Sequence, residues 1–197
     1  DWVVSFDLNS LYPHLIMQYN ISPETLLDTR HPSVTVDKIL DQDLTFEMYK
    51  DSAVCANGAM YRKDVRGFLP ELMEKIYKDR TIYKKKMLEA KQQYEKKKTK
   101  ALEKEIARCN NIQMARKIQL NSAYGAIGNQ YFRYYKLANA EAITLSGQVS
   151  IRWIENKMNQ KINQILKTED VDYVIASDTD SIYLNLGPLV DAVYEGR

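Results

Sequence analysis

Two carboxylates one residue apart, Asp178 and Asp180 in Ser177-Asp178-Thr179-Asp180, fall between two short apolar stretches. These are Val171-Asp172-Tyr173-Val174-Ile175-Ala176 and Ser181-Ile182-Tyr183-Leu184. The pattern predicts a β-hairpin with both acids at its tip. Mutual repulsion between them costs free energy, and a divalent cation removes that cost. Mg²⁺ prefers hard oxygen ligands and takes one or two protein carboxylates together with substrate phosphates. A third acid, Asp7, ends another apolar stretch, Trp2-Val3-Val4-Ser5-Phe6, which reads as a buried strand. If that strand lies beside the hairpin, Asp7, Asp178 and Asp180 converge, and such a cluster can hold two metals for in-line phosphoryl transfer. Taken alone, Asp-Thr-Asp is a weak signal and reads first as an ordinary turn, because both residue types are common in turns.

Lys117, Asn121 and Tyr124 are spaced four and three apart, so they share one helix face, with about 10 Å of axis from first to last. Arg80 and Lys84 are four apart on an earlier helical stretch, and a guanidinium suits bidentate contact with phosphate. As isolated residues these cations also read as solvated side chains, and a lone Tyr12 after an apolar strand reads as core.

The elements that must position these groups follow from period and punctuation. A short helix is expected from Leu11 to Tyr19, stopping near Asn20. Ser22-Pro23-Glu24 reads as a helix start, with Ser as N-cap and Pro at the first helical position. Asn57-Gly58, between Val54-Cys55 and Met60-Tyr61, suggests a second hairpin. Residues 70–122 read as two long helices, striped by Leu72, Ile76, Tyr83, Met87 and Tyr94 and by Leu102, Ile106, Cys109 and Ile112. The run Lys96-Lys97-Lys98-Thr99-Lys100 forms the basic tip between them. Gly125 and Gly128 are expected to break the second helix. A further amphipathic helix covers 138–166, with Ile143, Val149, Ile151, Ile154, Met158, Ile162 and Ile165 as core candidates.

Composition sets the frame. Over 197 residues, 45% are apolar and 27% charged, an ordinary globular mix. No apolar run approaches the roughly 20 residues that span a bilayer, and no secretory-leader pattern is visible. The chain opens on Asp1-Trp2-Val3-Val4 without a Met, which predicts a segment of a longer protein. Two cysteines, Cys55 and Cys109, show no metal-ligand spacing and read as buried thiols. The net charge of +2 is unevenly spread: residues 62–117 hold 18 Lys and Arg against 8 Asp and Glu. A basic arm on an acidic body points to a polyanion bound beside a carboxylate site.

Three stretches together carry a resemblance. Asp7-Leu8-Asn9-Ser10-Leu11-Tyr12-Pro13 resembles motif A of family B DNA polymerases, D-x-x-S-L-Y-P. Arg116-Lys117-Ile118-Gln119-Leu120-Asn121-Ser122-Ala123-Tyr124-Gly125 resembles motif B, K-x-x-x-N-S-x-Y-G. Asp178-Thr179-Asp180-Ser181 resembles motif C, D-T-D-S. The order is the family's, and the surrounding text, including Asn20-Ile21-Ser22-Pro23-Glu24-Thr25 and Phe132-Arg133-Tyr134-Tyr135, is most similar to replicative polymerases of tailed phages.

The resemblance implies an α/β fold: an antiparallel palm sheet with packed helices, from residues 1–66 and 130–197, and an inserted helical-hairpin fingers subdomain at 67–129. It implies that Asp7 and Asp180 ligate two Mg²⁺ ions, with Mn²⁺ as a substitute, that the Leu8 carbonyl adds a ligand, and that Asp178 makes a less direct contact. Backbone amides of Ser10 and Leu11 would bind the triphosphate and the Tyr12 ring would block a 2′-hydroxyl. Lys117 would bind the triphosphate and protonate the leaving pyrophosphate, Arg80 and Lys84 would grip the phosphates, and Asn121 and Tyr124 would meet the nucleotide and nascent pair. The implied substrates are primer–template DNA and dNTP; the implied partners are a sliding clamp and other replisome proteins, reached through other regions. The implied location is the cytoplasm of a host cell, with no membrane attachment. Two alternatives stay open: a DNA- and nucleotide-binding module without activity of its own, and a metal-dependent nuclease using the same acids. His14, Ser177 and Ala123 depart from the commonest motif residues, and the link after Lys84 is shorter than in the phage enzymes.

Overall fold

Alternating apolar residues give a first strand, β1 (Val3–Asp7), in a computed structural model that describes residues 2–194. The outermost ends of the segments expected at 1–66 and 130–197 lie outside the described residues. There follow α1 (Leu11–Tyr19), β2 (Leu26–Arg30), α2 (Val36–Leu40), a 3₁₀ turn at Glu47–Tyr49, β3 (Ser52–Val54) and β4 (Ala59–Arg62). Two long helices come next, α3 (Phe68–Lys96) and α4 (Lys100–Ile127), then α5 (Leu137–Leu166), the hairpin β5 (Val174–Asp178) and β6 (Ser181–Asn185), and α6 (Gly187–Tyr194).

The strands form two antiparallel sheets of three, where one sheet was expected: β1-β6-β5 and β2-β4-β3. In the first, β6 is central. Asp7 of β1 pairs with Ser181 from one side and Asp178 of β5 pairs with it from the other. In the second, β3 and β4 are the expected hairpin, and Gly58 supplies its positive φ of 79°.

Two apolar cores correspond to the two sheets. One gathers Ile16, Tyr61, Met73, Leu120 and Ile143 from α1, β4, α3, α4 and α5. The other joins Ile151 and Ile162 of α5 to Tyr173, Val174, Ile182 and Leu184. Helix α5 therefore serves both. It covers β5 and β6 but leaves the edge strand β1 open, so the strand expected to be buried is not: Trp2 is 60% exposed and Phe6 49%. Ile165 is likewise exposed, while the small Ala140, Ala142, Ser146 and Gly147 are buried instead. Both cysteines are buried as expected, and burial pushes the Cys55 thiol up to about 12.

The long hairpin forms where expected, with its basic turn at 97–99. Thr99 caps α4 by accepting from the Leu102 amide at 3.3 Å. Cys109, Gln113, Leu120 and Ile127 are the buried residues of α4. Leu72 of the expected α3 stripe is exposed, and Leu69 and Met73 are buried in its place. Gly125 does not break α4, which runs on to Ile127 and is capped by Gly128. The strand expected from Val171 begins at Val174, because Asn159 and Asn163 of α5 take up the backbone of Val171 and Tyr173.

Ser22 starts no helix of its own. Pro23 and Glu24 make one turn, with the Thr25 and Leu26 amides bonded to the Ser22 carbonyl, and the chain then enters β2. The capping groups serve α3 instead. Asn20 Oδ1 accepts from the Gly67 amide at 2.8 Å, Glu24 Oε1 from the Phe68 amide at 2.6 Å, and Ser22 Oγ from the Leu69 amide at 3.4 Å. Three amides that a helix leaves unpaired at its start are thus satisfied from a loop more than forty residues away.

Candidate functional site

Antiparallel pairing brings the end of β1 beside the β5–β6 turn. The Leu8 amide donates to the Asp180 carbonyl at 2.7 Å, tying the two segments through the main chain. Asp7 and Asp180 then face one cleft of about 500 Å³. Two backbone kinks shape its rim: Ser10, entering α1, has φ of 57°, and Thr179, in the hairpin turn, has φ of 35°. Non-glycine residues in this region carry strain, which collects at functional sites.

Asp180 is the better covered of the two acids. Partial burial, then the negative charge of Asp7 and, less strongly, that of Asp178, hold its carboxyl above its ordinary value. Asp178 does not line the cleft. It ends β5 on the far side of β6 from β1, exposed, with Thr179 Oγ1 donating to it at 3.1 Å. Strands about 4.8 Å apart separate Asp7 and Asp178 by two spacings. The expected convergence of three acids is therefore a pair with a third at its edge, and among the described residues no three His, Cys, Asp or Glu side chains group closely enough to hold a metal.

The opposite wall comes from the helical hairpin. Arg80 of α3 and Lys117, Asn121 and Tyr124 of α4 all line the same cleft, as the shared face of the last three requires. Arg80 is half-buried. Its Nη1 reaches Ser10 Oγ only at 3.4 Å, and its buried Nε has no partner among the described residues. Immediately before Lys117 on α4, Arg116 pairs with Asp79 at 3.4 Å and links α3 to α4 beside the cleft. Lys84 stands apart, in a smaller adjoining hollow with Asn9, Tyr77, Arg80 and Thr81.

Ser10, Leu11 and Tyr12 form the floor. Leu11 is otherwise buried in the core. The Tyr12 ring tilts at 55° against Tyr124, with centroids 4.7 Å apart. Burial, then the neighbouring Tyr124 and the charges of Asp180 and Asp178, raise the Tyr12 phenol, so it stays neutral. Leu8 does not line the cleft; it packs against the core beneath the hairpin. His14 Nδ1 donates to the Ser10 carbonyl over 2.9 Å, and the ring meets that of Tyr77 edge-on, bracing the turn.

Sequence reasoning missed Asn9 and Thr179 as lining residues, the cap formed by Asn20, Ser22 and Glu24, and Gly147, which faces Tyr12. Asn9 and Thr179 sat inside the motifs already singled out. Gly147 gave one signal, a glycine in the interior of a long helical pattern.

The family described as DNA polymerase family B matches residues 1–191. The chain is 34% identical to the DNA-directed DNA polymerase of Escherichia phage RB69 over 238 aligned positions, covering 100% of this chain and 26% of that protein. It is 33% identical to the DNA-directed DNA polymerase of Enterobacteria phage T4, covering 98% and 26%. The chain thus spans about a quarter of the length of these relatives. An alignment longer than its 197 residues means that the RB69 protein carries insertions this chain lacks. Among solved structures, the fold is similar to that of a family B DNA polymerase from Pyrobaculum calidifontis, with TM-score 0.56 and 24% identity over 99% of this chain and 22% of that one.

Proposed function

The chain belongs to DNA polymerase family B, and we propose that it carries the nucleotidyl-transfer site of a template-directed DNA polymerase. One observation carries this reading: two carboxylates, Asp7 and Asp180, face two cations, Arg80 and Lys117, across a single cleft floored by Tyr12. A nucleoside triphosphate with its divalent cation needs both kinds of wall. A nuclease needs the carboxylates alone and leaves Tyr12 and the Lys117–Tyr124 face without a task.

Residues 1–66 and 130–197 are assigned to the palm and 67–129 to the fingers, a division supported by the span of α3 and α4. Two carboxylates plus the nearby Leu8 carbonyl suit Mg²⁺, which takes one or two protein carboxylates and completes its shell with water and phosphate. Mn²⁺ fits the same oxygen donors. Asp178, at the edge, adds negative charge behind Asp180 rather than a direct ligand. Bound there, Mg²⁺ would make the primer 3′-hydroxyl more acidic and neutralise triphosphate charge.

The chain's own residues do the rest. Arg80, with a donor still unpaired, grips the phosphates, and Lys84 on the next turn of α3 extends that grip. The amides of Ser10 and Leu11 face the same phosphates. Tyr12 stands beneath the sugar and excludes a 2′-hydroxyl. The primer 3′-hydroxyl gives up its proton to solvent, its oxygen attacks the α-phosphorus, the bond to pyrophosphate breaks, and Lys117 gives the departing pyrophosphate a proton. Positioning and charge stabilisation dominate such transfers. Asn121 and Tyr124 border the incoming nucleotide and the nascent base pair.

The test is primer extension by the longest natural polypeptide carrying this segment, with dNTPs and Mg²⁺. Asp180→Asn is expected to lower kcat by roughly 10³-fold or more while leaving primer–template affinity within about twofold. Extension at the original rate would remove Asp180 from the metal site; shortening of the primer would make the segment a nuclease.

A further inference from the structure

Tyr12 is held by more than its own helix. Tyr124 meets its ring from α4, and on another side lies α5, where the residue against the ring is Gly147. A Cβ placed on Gly147 would stand 3.1 Å from Tyr12 Cε1, and 3.7 Å from Leu11 Cδ2 and Leu15 Cδ1. The latter two are ordinary contacts. The first lies inside the roughly 3.5–4.0 Å at which carbon atoms pack best.

Gly147 is buried in the interior of a 30-residue helix, where glycine is the poorest former after proline. Its φ is not positive, so the backbone there does not require glycine. What glycine supplies is the missing side chain. Helix α5 is also held against retreat. Ser146 Oγ accepts from the Ala56 amide at 3.2 Å, and Asn139 Oδ1 accepts from the Tyr61 hydroxyl at 2.9 Å. Ile143 is fully buried one turn before. An added methyl must therefore be absorbed by the ring.

We infer that Gly147 is a positioning residue for the nucleotide cleft: the gap it leaves in α5 sets how far the Tyr12 ring withdraws from the cleft floor, and so the room available to a sugar. The inference deepens the reading of Tyr12 as the sugar wall and rests on it. Gly147→Ala shifts the ring by about a few tenths of an ångström away from α5, toward the cleft it floors.

Nucleotide incorporation by the longest natural polypeptide carrying the segment tests this with Gly147→Ala, Tyr12→Ala and the double variant. Gly147→Ala is expected to raise the KM for dNTP about tenfold with kcat within about twofold, the signature of lost nucleotide binding. With the ring gone, the second substitution has nothing to push, so the double variant should match Tyr12→Ala in KM within about twofold. An unchanged KM in Gly147→Ala, or a KM loss that persists in the double variant, overturns the inference. A folding defect gives the second pattern, because it does not depend on the ring. Tyr12→Ala alone reports on the underlying reading. If ribonucleotides stayed excluded in that variant, the wall assignment would fail, while coupling between positions 12 and 147 would still identify Gly147 as the residue that sets the ring.

Discussion

Asp180 holds the least comfortable charge in the cleft. Burial and the charges of Asp7 and Asp178 raise its folded pKa, so its stabilising contribution is complete below its unfolded value and is lost as pH rises through the folded one. Its ionised form works against folding unless a cation neutralises it. Asp180→Asn is therefore expected to raise Tm in metal-free buffer at pH 7 and to flatten the rise that Mg²⁺ gives the unaltered protein; calorimetry with and without Mg²⁺ checks both. A lower Tm in metal-free buffer would mean that the carboxylate is already neutralised by the protein. Arg80 poses the converse case, a cation with an unpaired buried donor. Arg80→Ala is expected to raise the dNTP KM by about 10–100-fold, the worth of a hydrogen bond to a charged group, as read by steady-state incorporation. That these residues share one cleft was legible only through the three motifs taken together, since alone the acids read as a turn, the cations as solvated side chains and Tyr12 as core. Gly147 was not, since the demand on it comes from a ring 135 positions away along the chain.

Among the elements, the long helices and both hairpins could be read from period and punctuation, which are local properties. The failures were non-local. Ser22-Pro23-Glu24 is a helix-start signal, and the structure uses its capping groups for a helix start, but that of α3. No pattern within a window reveals a cap delivered from elsewhere. β1 was read as buried because apolar runs usually are, yet which strand α5 covers depends on sheet order. Partial burial would lift the Glu24 carboxyl, but hydrogen bonds from the Ser22 hydroxyl and the Phe68 amide outweigh it and hold it below its usual range. A depressed carboxylate stabilises above its unfolded pKa and loses that contribution as pH falls through the folded one. Glu24→Ala is expected to cost about 1 kcal/mol at pH 7, the usual worth of a helix cap, and less at pH 3. Urea unfolding at the two pH values measures the difference. An equal cost at both would assign the effect to packing.

At the scale of the molecule, charge is divided between a basic arm and an acidic body. Residues 62–117 carry 18 basic against 8 acidic side chains, and the lysines at the tip are exposed. Replacing Lys96, Lys97, Lys98 and Lys100 with Gln is expected to reduce the slope of log K against log salt by about 0.9 for each lysine that faces a phosphate. Fluorescence anisotropy with labelled DNA across a salt series gives that slope; no change would leave the tip to solvent. The arm is also pinned at one end only. Its α3 base is clasped by Asn20, Ser22 and Glu24, while α3 extends 29 residues, roughly 43 Å, to the basic turn. Such a shape is a lever with its fulcrum under the cleft. A tilt of roughly 10° about that point would shift Arg80 by about 3 Å and the far turn by about 7 Å. A dye on the turn would magnify, more than twofold, whatever small displacement Arg80 undergoes.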